Sequence, residues 1–410
     1  TLYTNIGSTL NIIKAIKEQP DPDKVHFVYI GTVAETGART YPIHWGRVGD
    51  PLNPSIFDYY ALSKVFSEMA VFDSGLKHWV SIRQTGQHPS AEGAGEEPII
   101  FHQPANNVLE WSTSIESGIC MANVCEDWVP ESFWRKGYNL SSGPEYRLSC
   151  WELTDMMMEP FGISIKDLYD ADALPLYNFH GQYYTDSKVL DDYLHFRCIP
   201  GAMYWGGVKD EMTRMANNPM IRAMFPTKEQ MYLHNKEIGA KKGGLYYALE
   251  HGDENWIKAF YGSAEKRAAI GTWDDVELFH ASEENETYLN HGYDESKGLE
   301  NLTLEDLQKA AAYRGGKCLA EVVPADIYTP ITWECADGHV FKLSVNAVLQ
   351  GGHWCPECYE STWHYADIAK KNPFYAQVWT PLHGDEDDYV IPMEFSPFKI
   401  WNELKEKLCL

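Results

Sequence analysis

The chain has 410 residues, 44% of them hydrophobic and 23% charged, with a formal net charge of −25. That length predicts two to three domains around at least one large core. The acidic balance argues against nucleic acid and anionic membranes as partners, because like charges repel within a Debye length. The longest basic cluster, "GAKKGG" at 239–244, is too short to reverse this, and no apolar run reaches the roughly 18 residues of a membrane span.

In chain order, "GSTLNIIKAIKEQ" (7–19) has helical apolar periodicity and stops at "PDPD". "KVHFVYIGT" (24–32) reads as a buried strand. A Pro- and Gly-rich loop follows, and then "DYYALSKVFSEMA" (58–70), an amphipathic helix with Tyr60 and Lys64 four apart on one face. "HWVSIRQTG" (78–86) is a second strand, "ANNVLEWSTSIESGICMANV" (105–124) reads as a helix, "GYNLSSG" (137–143) as a short strand and turn, and "SCWELTDMMMEPFG" (149–162) as a helix. This alternation predicts an α/β fold with a doubly wound parallel, Rossmann-like sheet. Residues 165–310 read as mostly helical, with acidic loops such as "HASEENET" (280–287). Residues 311–362 change to Gly, Trp, Cys and His, and 363–410 read as a helical tail broken by the acidic turn "HGDEDD" (383–388). The expected division is therefore 1–164, 165–310, 311–362 and 363–410.

Taken together, "TNIGSTLNIIKAI", "VHFVYIGTVAETG", "YALSK" and "VSIRQTG" stand in an order that resembles the extended short-chain dehydrogenase/reductase family, the NAD-dependent epimerases and dehydratases. The resemblance covers roughly residues 1–200. It implies a Tyr60–Lys64 acid–base pair that also contacts NAD or NADP, a Thr32 hydroxyl on the same substrate oxygen, and Asn5 ordering a water near Lys64. It further implies a small-molecule substrate with a hydroxyl or carbonyl carbon, nucleotide sugars among them, with residues 165–310 as the substrate region and a homo-oligomer compatible with the reading. Chemically, a phenol near pKa 10 is a poor base at neutral pH, and a lysine one turn away can lower it. Two departures matter: "RQTGQ" replaces the family's Arg-Pro opening, and no Gly-x-x-Gly-x-x-Gly follows a strand at the start of this sequence. The expectation is that this phosphate-binding loop lies upstream of Thr1 or comes from elsewhere.

The nine cysteines divide in two. Five are scattered, whereas Cys335, Cys355 and Cys358, with His339, have the spacing of a zinc ribbon, and Cys318 is the alternative fourth ligand. A Cys-x-x-Cys knuckle supplies two zinc ligands from one turn. A closed four-ligand site predicts a structural zinc, and free cysteines beside it predict a reducing, cytoplasmic setting. A rival reading is a non-catalytic Rossmann-like binding or assembly protein that uses the zinc ribbon for partner contact.

Overall fold

The computed structural model describes residues 1–88, 97–280, 286–384 and 386–409. Three parallel strands form the central sheet in the order β1 (His26–Thr32), β2 (His78–Gln84) and β3 (Lys136–Leu140). β2 is the middle strand, and six of its seven residues are buried, as a strand covered on both faces requires. β1 is an edge strand among the described residues, with Phe27 and Val28 partly exposed and Ile30 exposed.

Helices cover both faces. On one, α1 (Leu2–Lys17) packs against α2 (Tyr59–Phe72), bringing Leu62, Phe66 and Met69 into the core that holds Tyr29 and Trp79. Asp58 starts α2 by accepting a hydrogen bond from the Ala61 N–H at 2.8 Å, the N-cap role that favours aspartate. On the other face, Val80, Ile82 and Leu140 pack with α3 (Ser114–Asn123) and α4 (Ser187–Leu194) through Cys120, Leu190 and Leu194. The expected parallel α/β architecture is thus present.

The helix expected over 105–124 forms only in its second half. Val108–Glu110 is extended and pairs antiparallel with Arg147–Ser149, and Ser112–Thr113 is extended too. Thr113 then caps α3 through the Glu116 N–H. The pairing strand lies about 40 residues on, and nothing local signals it. Residues 165–310 are mostly helical, in short pieces.

Near the C-terminus, an antiparallel sheet of β4 (Lys317–Cys318), β5 (Pro330–Glu334) and β6 (Val340–Ser344) packs into the same core as α1 and α2. The last helix, α5 (Pro397–Leu408), lies against α1 and α2, with Trp401 edge-on to Phe66 at 5.6 Å. Within the acidic turn at 383–388, Asp385 is outside the described residues and Asp387 is buried. Asp387 pairs with Lys266 at 2.8 Å and accepts from the Tyr177 hydroxyl at 2.5 Å. Most of "HASEENET" (281–285) also lies outside the described residues. No described helix is long and apolar enough to cross a membrane.

Candidate functional site

Thr32 ends β1 at the C-terminal edge of the sheet, where open α/β folds place ligands. It caps the next turn reciprocally: its Oγ1 accepts from the Ala34 N–H at 3.2 Å, and its own N–H donates to Glu35 Oε1 at 3.0 Å. Tyr60 and Lys64 stand one turn apart on the half-exposed stripe of α2. The Thr32 side chain lies close enough to the Tyr60 phenol to act on it electrostatically. Lys64 Nζ donates to the Ile30 carbonyl at 2.8 Å and lies 5.8 Å from the Tyr60 ring centre. Asn5, on α1, donates its amide to Ser63 Oγ at 2.8 Å, next to Lys64 in the chain. The four residues singled out in the sequence are thus gathered where β1, α1 and α2 meet.

The electrostatics differ from the expectation. The Tyr60 phenol is raised above its ordinary value. Burial is the main cause, Thr32 pulls the other way, and the Glu35 and Asp58 charges add to the rise. Lys64 points its ammonium at a backbone carbonyl and leaves the phenol to burial. The Lys64 ammonium is itself lowered by burial, against the pull of Glu35 and Glu68.

Behind Thr32 lies a buried charged network that motif reading passed over. Arg83, on β2, donates from Nε to Glu68 Oε1 at 3.0 Å and from Nη2 to Glu68 Oε2 at 2.6 Å, with both side chains fully buried. The same Nη2 donates to the Gly351 carbonyl at 2.6 Å, and His353 Nε2 lies 3.0 Å from Glu68 Oε2. Burial works to raise the Glu68 carboxyl, but the Arg83 charge, the nearby His353 ring and the Arg83 hydrogen bonds hold it well below the usual carboxylate range. Burial, and then the Glu68 charge, push the Glu35 carboxyl up, while the Arg83 charge pulls it down. Gly31 permits this crowding: a Cβ there would sit 3.0 Å from Glu35 Oε1 and 3.2 Å from Arg83 Cγ. The missed signal was an acidic residue on the apolar face of one helix and an arginine inside an apolar strand.

The second site gathers Cys335, His339, Cys355 and Cys358, whose ligand atoms lie within 4.8 Å of one another. Cys358 Sγ is 4.0 Å from Cys335 Sγ and 3.7 Å from His339 Nδ1, and Cys355 Sγ is 3.6 Å from the same nitrogen. A tetrahedral zinc with bonds of about 2.3 Å to sulfur and about 2.0 Å to nitrogen needs S···S near about 3.8 Å and S···N near about 3.5 Å. The donor set fits. Hydrogen bonds from the Cys355 and Cys358 thiols hold Cys335 well below the usual thiol range, while Cys335 pushes both of them up. Only a cation lets all three ionise together. The Asp337 and His339 backbone also favours the Cys335 thiolate, and His339 Nε2 faces Glu357 at 3.9 Å. Cys318 lies outside this group: it pairs across the sheet with Trp333, which turns its side chain into the core.

No family model and no curated protein matches the sequence. Solved structures do, over about half of it. The dTDP-glucose 4,6-dehydratase of Bacillus anthracis, solved with NAD, is 15% identical over 53% of this chain and 69% of its own, with a TM-score of 0.39. The UDP-glucuronic acid 4-epimerase of Bacillus cereus, solved with UDP-glucuronic acid and NAD, is 14% identical over 52% and 68%, with a TM-score of 0.37. The L-threonine 3-dehydrogenase of Trypanosoma brucei is 17% identical over 54% and 70%, with a TM-score of 0.38.

Proposed function

We propose that the chain carries the proton-transfer site of an NAD(P)-dependent oxidoreductase or epimerase acting at a hydroxyl or carbonyl carbon, nucleotide sugars being the favoured substrate class. The observation that carries this reading is the juxtaposition of the Thr32 hydroxyl and the Tyr60 phenol at the C-terminal end of β1, with Lys64 one turn beyond. Thr32 would hold the substrate oxygen, and Tyr60 would give it or take from it a proton. Lys64 has protons beyond the one spent on Ile30, and these suit it to hold the ribose end of a nicotinamide cofactor and to stabilise phenolate. The cofactor, when bound, supplies or accepts hydride. Asn5 would steady α2 through Ser63. This chain's residues fit only that reacting end of a dinucleotide, since its sequence contains no Gly-x-x-Gly-x-x-Gly loop. Residues 165–310 are our proposed substrate region, supported by Tyr184 sharing a small apolar cluster with Leu109 and Val33, the neighbour of Thr32. We assign the four-ligand metal site a structural zinc, because a closed tetrahedron leaves no position for substrate.

The test is Tyr60→Phe. Dinucleotide binding should persist while turnover falls about 10²–10⁴-fold, the usual worth of a positioned acid–base group. Unchanged turnover in the variant would falsify the assignment. The rival, a non-catalytic binding or assembly protein on the same shell, is favoured by one observation: burial raises the Tyr60 phenol in the free chain. A protein that neither binds nor turns over with NAD or NADP would support it.

A further inference from the structure

A cavity of about 150 Å³ opens between α1, α2, β6 and α5, on the far side of α2 from Thr32 and walled at one point by Pro356 of the Cys355–Cys358 knuckle. Its floor is apolar, built from Leu10 and Ile13 of α1, Met69 of α2 and Trp401 of α5. A cavity of about this volume accommodates a benzene ring. Lys17, Lys342 and Lys405 also line it. In a chain of net charge −25 most lysines find a carboxylate, as Lys14, Lys266 and Lys371 do. These three make no ion pair among the described residues, although they meet at one cavity. Lys405 sits instead over the Trp401 ring, at 5.0 Å from its centre. The fourth charge is Asp73, whose two oxygens accept from the Ser344 N–H, each at 3.2 Å. Burial lowers the ammonium groups of Lys17 and Lys405. At Lys405 the Asp73 charge opposes the fall and the Lys17 charge adds to it. An arriving anion would relieve both.

We propose that this cavity binds a small anion with an apolar body, an aryl or branched-alkyl phosphate or carboxylate, its head among Lys17, Lys342 and Lys405 and its body on Trp401. The site is independent of the oxidoreductase reading. Its occupant would tie the first two helices to the zinc-ribbon sheet and the last helix.

Isothermal titration of the full chain at constant ionic strength tests it, with phenyl phosphate, benzoate, inorganic phosphate and benzylamine as probes. Saturable binding of an aryl anion at one site is expected, with inorganic phosphate weaker by about tenfold or more and benzylamine silent. The Lys17→Gln/Lys405→Gln double variant, which removes two positive charges and shortens both stems, should weaken the aryl anion by about tenfold or more while keeping its metal content and unliganded melting temperature. Three results would overturn the proposal: no saturable aryl-anion binding up to about 10 mM, equal binding by the double variant, or inorganic phosphate or benzylamine binding as tightly as the aryl anions.

Discussion

Asp186, just after the Tyr183–Tyr184 strand, holds two donors: the Val48 N–H at 2.7 Å on Oδ2 and the Asn139 amide at 2.9 Å on Oδ1. Burial nevertheless pushes its carboxyl up to about 6. The native state therefore favours the proton more than the unfolded chain does, where aspartate titrates near about 3.9. The stability this contributes is complete below about pH 4 and is lost as the pH rises through about 6. Asp186→Asn keeps an acceptor for Val48, and the Asn139 amide can turn over to meet it. The variant should therefore gain on the parent across that window, by at most about 3 kcal/mol. Urea unfolding at pH 4, 5, 6 and 7 measures the difference, and a gap that does not widen with pH contradicts the assignment.

Among the elements, the three-stranded sheet β4–β5–β6 is the one whose folding should follow a metal. Purified without added metal, the protein should carry about one zinc per chain, and Cys355→Ser should lose it, since binding and local folding are one equilibrium. Hydrogen exchange should then quicken over 330–344 and reach β2, because Gly351 accepts from Arg83. Cys318→Ser should keep the metal; a variant without zinc would return Cys318 to the ligand set. Both motifs were legible in the sequence because their information is local. Tyr60 and Lys64 are one helical turn apart, and Cys355 and Cys358 share a knuckle. The failures were non-local. Nothing near Val108 announces its strand partner at 147–149, and nothing near Asp387 shows that Lys266 and Tyr177 will close over it.

At the scale of the molecule, the Glu68–Arg83 pair joins the parallel sheet to the metal-binding end of the chain. Arg83→Met leaves the buried Glu68 carboxylate with Ser81, His353 and Glu35 beside it and no fixed positive charge. Removing one partner of a buried pair costs about 3–5 kcal/mol, whereas replacing both with apolar residues costs far less. In a double-mutant cycle by urea denaturation, Glu68→Leu/Arg83→Met should therefore be more stable than Arg83→Met alone. Additive losses would show that the two charges do not stabilise each other. The fold class was readable from alternating strands and helices, but this pairing was not, because a residue's partner 268 positions away leaves no periodicity behind. That same separation has a consequence during synthesis. At about 5–20 residues per second, the ribosome delivers Gly351 roughly 15–50 s after Arg83. Throughout that wait Leu10, Ile13 and Phe66 of the nascent chain lack part of their apolar cover, because Trp401 and the rest of α5 have not yet been made.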